Sequence, residues 1–212
     1  MQKNTNFRTI VFATLLGLVS SLSLFLVYVQ TKPLSEANER AEELRNYLFV
    51  LDVPVSQGAG AEDLLKIFDR FIRVKEVGSL TFYEYYPENG SSDSPVAVAL
   101  PLSGPGLWGR IDGVLALEPD LKTIKGIRFY KQIETPGLGG EITSEWFQSQ
   151  FEGKSILSSS GVPGFRIVKP GEAVDENSVD GISGATMTSD RVEKFLVDLI
   201  IMVWDARSEY AR

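Results

Sequence analysis

A hydroxyl-rich stretch near the C-terminal end, residues 179–189, holds Asp180, Ser183, Gly184, Ala185 and Thr186, with Thr188 and Ser189 just behind. Beyond it Val192, Phe195, Leu196, Leu199, Ile200 and Val203 recur at the spacing of one helical face. Small polar residues first, then Asp190 and Glu193, read as a helix start, where the dipole favours negative charge. A helix start reached through glycine is also a good seat for a phosphate, because its N–H groups are free and the backbone can come close. The same residues also suit a capped helix with no chemistry. On this stretch alone both readings stand.

Two glycine-rich loops could hold the rest of such a ligand. Residues 103–109 contain Gly104, Gly106, Trp108 and Gly109; residues 134–141 run Glu-Thr-Pro-Gly-Leu-Gly-Gly-Glu. Neither matches the Walker lysine motif, and neither is a GxGxxG run opening a helix, so the usual nucleotide cradles are excluded. Each places a large apolar residue, Trp108 or Leu138, among glycines, and Trp146 follows the second loop. Apolar groups on loops mark binding surfaces. A flat aromatic ligand suits them, with leucine and tryptophan against its faces and backbone N–H groups at its polar edge. The alternative places both tryptophans in the core.

The rest of the composition narrows the chemistry. The chain has 212 residues, a net charge of −7, no cysteine and no histidine. An acidic chain without a basic run argues against a nucleic-acid partner. The missing residues rule out disulfides, thiolate clusters, a cysteine nucleophile, a Ser-His-Asp triad and the commonest zinc and haem ligands. A redox or transfer role would then fall to a bound organic cofactor.

The elements that must position these loops can be read along the chain. Residues 9–31 carry no charge, and 10–29 are long and apolar enough to cross a bilayer. A cleavable signal peptide competes, but its apolar region is normally shorter and ends at small residues, whereas Phe25, Leu26, Val27 and Tyr28 run to the boundary here. The flanking cations are nearly balanced, Lys3 and Arg8 before and Lys32, Arg40 and Arg45 after, so charge leaves the orientation open. A helix is expected over about 35–49, starting after Pro33, and a second over 61–73, with a linker at 56–60. Strands are expected at 81–86, 95–102, 109–118, 123–131 and 166–169, with turns at 87–90 and 118–120. Strands in the middle and helices at both ends make an α+β domain around an antiparallel sheet with flanking helices.

Taken in order, Gly106-Leu107-Trp108-Gly109, the Glu134 to Glu141 motif and Asp180-Gly181-Ile182-Ser183-Gly184-Ala185-Thr186 resemble the NqrC family, the C subunits of the Na⁺-translocating NADH:quinone reductase. Trp146, the Ile167-Val168-Lys169 segment and the single N-terminal span fit the same pattern, and the likeness covers about residues 96–189. Three ordered motifs are far more specific than any one. The related G subunit of the Rnf complex shares the last two motifs more loosely. The Gly-Leu-Trp-Gly loop and the doubled Gly139-Gly140 favour the quinone-reductase family.

The resemblance implies an FMN-binding domain whose flavin is joined by a phosphoester to the threonine of Ser-Gly-Ala-Thr, here Thr186. It implies a separate flavin transferase that takes FMN from FAD and recognises Asp180 with the small residues Ser183, Gly184 and Ala185. An unaided threonine is a poor nucleophile, and no histidine is present to activate it, which agrees with an external enzyme. Thr135, Leu138 and Gly139 are then the candidates for the ring and its polar edge, with Trp108 and Trp146 beside it. Ser183, Thr186 and Lys169 fall at the phosphate. No metal site and no acid–base catalytic residue is expected.

The implied organisation is a cytoplasmic N-terminus at 1–8, a transmembrane helix at 9–31, a helical linker region at 32–78 and the flavin domain at 79–212. The implied setting is the bacterial inner membrane with the domain on the periplasmic side. The implied partners are membrane lipid and the A, B, D, E and F subunits of a complex that passes electrons from NADH to ubiquinone and exports Na⁺. A membrane-anchored scaffold or sensor domain, with Thr186 only a cap, is the rival from another class.

Overall fold

The computed structural model describes residues 2–56, 58–87, 94–172 and 175–212. From residue 88 on, the turn expected at 87–90 lies outside the described residues, as does Gln57 of the expected linker. The elements in order are helix α1 (Gln2–Val50), helix α2 (Ala61–Phe71), strands β1 (Ile72–Val77), β2 (Leu80–Tyr85), β3 (Ala97–Pro105), β4 (Arg110–Leu117) and β5 (Ile124–Lys131), a 3-10 turn (Gly139–Thr143), helix α3 (Glu145–Ser149), strands β6 (Arg166–Val168) and β7 (Ser178–Asp180), and helix α4 (Thr186–Tyr210). The chain divides into two compact units, Met1–Ala41 and Glu42–Arg212.

The first unit is helical and, among the described residues, is the only stretch long and apolar enough to cross a membrane. Its large apolar side chains, from Phe7 to Val29, are exposed. A helix start after Pro33 was expected; instead Pro33 lies inside α1. Proline removes one amide from the ladder and crowds the preceding turn. Good helix formers on its C-terminal side (Leu34, Glu36, Ala37, Glu39) continue the helix past it.

The second unit is a five-stranded antiparallel sheet in the order β1-β2-β3-β4-β5, with helices on both faces, and a separate parallel pair β6-β7. This is the expected α+β class. Strand alternation sorts the residues. Phe82, Leu100, Leu102, Ile111, Leu115 and Phe129 join a buried cluster with Val192, Leu196 and Ile200 of α4. On the opposite face Tyr83 meets Tyr47 at 4.7 Å and Phe68 at 5.8 Å, from the end of α1 and from α2. A sheet covered on both sides needs near-continuous apolar strands, which β3 and β4 supply.

Several boundaries differ from expectation. Helix α2 stops at Phe71, and Ile72–Val77 form β1, inside the stretch expected to be a helical linker. The two-residue turn Gly78-Ser79, with Gly78 at φ 59°, closes β1 onto β2 so that Val77 faces Leu80. Strand β3 runs on to Pro105, which pairs with Arg110, so the first glycine loop shrinks to a four-residue turn, 106–109. The turn at 118–120 is longer than expected. Leu121 sits at φ 54°, and Asp120 Oδ1 accepts from the amides of Lys122 and Thr123.

A polar clasp ties the far end of α4 to the sheet. The buried Glu84 carboxylate accepts from Tyr210 Oη at 2.7 Å and from Tyr86 Oη at 3.0 Å. Lys75 Nζ donates to the Tyr210 carbonyl and stands 4.5 Å from its ring centroid. Burial, then the Glu84 contact, pushes the Tyr210 phenol well above its ordinary value of 10.0. Burial does the same at Tyr47 and Tyr130. A phenol whose pKa rises on folding contributes stability that is fully present below the unfolded value and is lost as pH rises through and beyond it. The melting temperature is therefore expected to fall between about pH 9 and pH 11, and less steeply in Tyr210→Phe. Equal slopes in the two proteins would show that the clasp does not carry the effect.

Candidate functional site

Three connections meet at one end of the sheet. Strands β4 and β5 are antiparallel with Asp112 opposite Lys131, so the 106–109 turn entering β4 lies beside the chain leaving β5. The turn closes through Gly106 N–H donating to the Gly109 carbonyl at 2.6 Å. After β5 the chain passes Ile133 and Glu134 and folds tightly around Pro136-Gly137. The Thr135 carbonyl accepts from the amides of Leu138 and Gly140, and Gly137 has φ 73°. The third connection runs from β7 through Gly181 to Ala185 and into α4. The Gly181 amide donates to the Val168 carbonyl at 2.7 Å, and Gly184 takes φ 77°.

One carboxylate joins the three. Glu134 is 4% exposed. Its Oε1 accepts from the amides of Leu107 at 2.8 Å and Trp108 at 3.0 Å, and its Oε2 accepts from Thr188 Oγ1 at 2.7 Å. The Glu134 amide in turn donates to Gln132 Oε1. Glycine is required around this carboxylate. A Cβ on Gly106 would stand 2.5 Å from Glu134 Oε1, and one on Gly139 would stand 2.5 Å from Thr188 Oγ1 and 2.9 Å from Glu134 Oε2.

Between the three connections is a cleft of about 250 Å³ lined by Leu107, Trp108, Glu134, Thr135, Leu138, Gly139 and the α4 start, Gly184 to Thr188. Its rim is apolar and outward-facing: Trp108 is 67% exposed, Met187 59% and Leu138 43%. The alternative that placed both tryptophans in the core fails, since Trp146 is also exposed.

Helix α4 begins at Thr186, with Ala185 as its N-cap and no side-chain capping bond. Asp190 and Glu193, expected in the first turn, fall beyond it, and the first turn carries no acid. The positive end of the helix therefore opens beside the cleft with no acid from its own first turn, and the carboxylate that stands beside it is Glu134, through Thr188. Thr186 is exposed there. The neighbouring hydroxyls are occupied: Thr188 and Ser189 are buried, Thr188 donates to Glu134, and Ser189 Oγ accepts from the Ile182 amide.

Of the residues singled out from the sequence, Trp108, Thr135, Leu138, Gly139, Gly184, Ala185 and Thr186 are brought together on the cleft wall. Trp146, Lys169, Asp180 and Ser183 are not in that lining. Trp146 lies in α3 against Phe147, with ring centroids 6.3 Å apart. Lys169 is exposed just after β6, and its carbonyl accepts from the Glu172 amide. Asp180 ends β7, where its Oδ1 accepts from the Gly171 amide and its backbone pairs with the Gln150 side chain. Ser183 is exposed just before Gly184. Sequence reasoning missed Glu134 as a site residue, along with Leu107, Met187 and Thr188. The available signal was a carboxylate inside a glycine-rich apolar loop.

Comparison with known proteins finds relatives for the stretch that builds the cleft. The family model described as the FMN-binding domain matches residues 106–200, from the first turn of the cleft into α4. The C subunit of the Na(+)-translocating NADH-quinone reductase of Vibrio vulnificus is 43% identical over 110 residues, 51% of this chain and 42% of that protein. Its counterpart in Pasteurella multocida is 40% identical over 111 residues, 52% of this chain and 43% of that protein. The matched stretch is thus less than half the length of those relatives. Among solved structures, the C subunit from Parabacteroides distasonis superposes with a TM-score of 0.65 at 27% identity, covering 79% of this chain and 92% of that one. NqrC of Shewanella oneidensis gives 0.64 at 26% identity, covering 76% and 91%.

Proposed function

We propose, on the premise that this chain is a homologue of the NqrC proteins of Na⁺-translocating NADH-quinone reductase, that it is the membrane-anchored flavoprotein subunit of such a complex, with FMN held covalently on Thr186. The observation that carries this reading is the Thr186 hydroxyl itself. It is exposed on the uncapped first turn of α4, at the wall of an apolar-rimmed cleft, while Thr188 and Ser189 beside it are buried. The residues fit the group. A phosphodiester at Thr186 would face free helix N–H groups, Gly184 is exposed on the cleft wall, and the buried Gly139 leaves room for the Glu134–Thr188 contact behind it. Trp108 and Leu138 supply apolar surface for its faces.

Attachment exchanges the Thr186 O–H for an O–P bond. The FMN phosphoryl group leaves the AMP half of FAD, and a proton is released. No histidine or cysteine stands in the chain to activate Thr186, so a separate flavin transferase performs the step. Asp180, Ser183, Gly184 and Ala185 are the proposed recognition residues for that enzyme. Lys169 and Trp146 are proposed as outer contacts, a cation for the phosphate and a ring for the flavin's edge. The bound flavin accepts and returns one or two electrons, while the protein binds, orients and tunes it.

In this reading the apolar stretch of α1 anchors the chain in the bacterial inner membrane and the Glu42–Arg212 unit lies on the periplasmic side. Lipid surrounds the anchor. The A, B, D, E and F subunits are the partners in electron transfer from NADH to ubiquinone, coupled to Na⁺ export. The test is mass spectrometry of the intact chain from membranes that also contain a flavin transferase. The expected mass is that of the chain plus FMN less one water, and the modified tryptic peptide should contain Thr186. A chain recovered wholly unmodified from a working complex would overturn the proposal.

A further inference from the structure

Buried carboxylates are costly unless paired, and Glu134 has a defined set of donors. Both of its side-chain oxygens act as acceptors, the role of an ionised carboxylate. Its three donors come from two segments that are remote in sequence: the 106–109 turn and the first turn of α4. Thr188 stands two residues after Thr186 on that same helical turn. The glycines at 106 and 139 are what let the carboxylate sit this close, since a Cβ at either would strike it or its Thr188 partner.

We propose that Glu134 and Thr188 form a positioning pair for the flavin: the carboxylate clamps the Leu107-Trp108 backbone and the α4 start to the same point, and its fixed negative charge bears on the ring's reduction. The inference rests on the reading of Thr186 given above. It adds that the wall of the cleft is electrostatically set, although its rim is apolar. Two consequences are independent of each other. Mechanically, the clamp sets the distance between Trp108 on one wall and the Thr186 hydroxyl on the other. Electrostatically, a negative charge on the cleft wall opposes the arrival of an electron, and low local dielectric keeps that opposition from being screened.

The test compares wild type, Glu134→Gln, Thr188→Val and Thr188→Ser, each as the full chain matured with a flavin transferase. Glutamine keeps the shape and the acceptor for Leu107 and Trp108 while removing the charge, so Glu134→Gln is expected to fold. The covalent flavin in Glu134→Gln is expected to reduce more readily, by about tenfold in the two-electron equilibrium, a midpoint shift of about 30 mV upward. Thr188→Val, which leaves the charge but removes its hydroxyl donor, should alter the flavin's visible spectrum, and Thr188→Ser should restore it. In flavin-free protein the Leu107 and Trp108 amides should exchange faster in Glu134→Gln, because an amide oxygen is a weaker acceptor than a carboxylate. A variant that melts earlier but keeps the wild-type potential and spectrum would overturn the positioning role. If the wild type carried no flavin, the reading of Thr186 would fail by itself. Exchange at Leu107 and Trp108 would then decide the clamp, and unchanged rates would overturn it.

Discussion

Thr186→Ala, produced together with a flavin transferase, is expected to give no fluorescent band in a denaturing gel, while the wild type gives a strong one. The loss should be complete, because the substitution removes the one oxygen proposed to bond to phosphorus. The fold should be untouched. Thr186 is exposed, makes no capping bond, and begins a helix whose burial comes from Val192, Phe195, Leu196, Ile200 and Val203 further along. Its replacement should shift stability by no more than about 0.5 kcal/mol, as for other surface changes. Thr186→Ser keeps the oxygen and should keep the band. Of the nearby hydroxyls, Thr188 and Ser189 are closed off by burial and hydrogen bonding. Ser183 and, across the cleft, Thr135 are the exposed ones left to compete. Fluorescence that persists in Thr186→Ala, with the modified peptide mapping to Ser183, would move the attachment point three residues upstream. Flavin that copurifies with native Thr186→Ala but is lost in the denaturing gel would mean that the flavin is held without a bond. On the proposed function, electron flow through a complex carrying the alanine variant should stop at this subunit.

Much of this arrangement is legible in the sequence, for reasons that vary by element. Helix α4 is readable because its apolar residues repeat at the helical period over about three turns. The central strands are readable because a sheet covered on both faces must be apolar throughout. Strand β1 is not, because Ile72 follows Phe71 with no breaker between them and the helical apolar spacing runs on unbroken into Ile72. The cleft is half legible. Seven candidates fall on its wall because the glycine motifs that name them also form the connections at one end of the sheet. Nearness in sequence does not give direction, however. Ser183 is exposed outside the cleft lining although it adjoins Gly184, and Lys169 leaves the sheet after β6 on an exposed turn. Glu134 was hidden for a different reason. Its partners Leu107, Trp108 and Thr188 are 27, 26 and 54 residues away, and only the folded chain brings them together.

Gly104→Ala should be the most damaging one-carbon change at the site end of the sheet, although Gly104 does not line the cleft. In β3 it lies on the face that meets α4, opposite Ile111 of β4. A Cβ built there would fall 2.3 to 2.5 Å from three atoms of Phe195. Those atoms are the root of a buried aromatic side chain, so no flexible tip can swing aside; either the ring or the helix must move. Overpacking of this kind costs about 1–3 kcal/mol. For a unit the size of Glu42–Arg212 that corresponds to a melting temperature lowered by roughly 2–12 °C. Phe195 sits on the same helix as Thr186 and Thr188, so displacing α4 from β3 also draws its first turn away from Glu134. The variant should therefore combine a lower melting temperature with faster amide exchange at Leu107 and Trp108. Flavin attachment should survive, because Thr186 stays exposed. Calorimetry and hydrogen exchange on the same sample check both parts. An unchanged melting temperature would mean that α4 is free to shift on the sheet, and the close seating of Phe195 over Gly104 could not be what fixes the helix above the cleft.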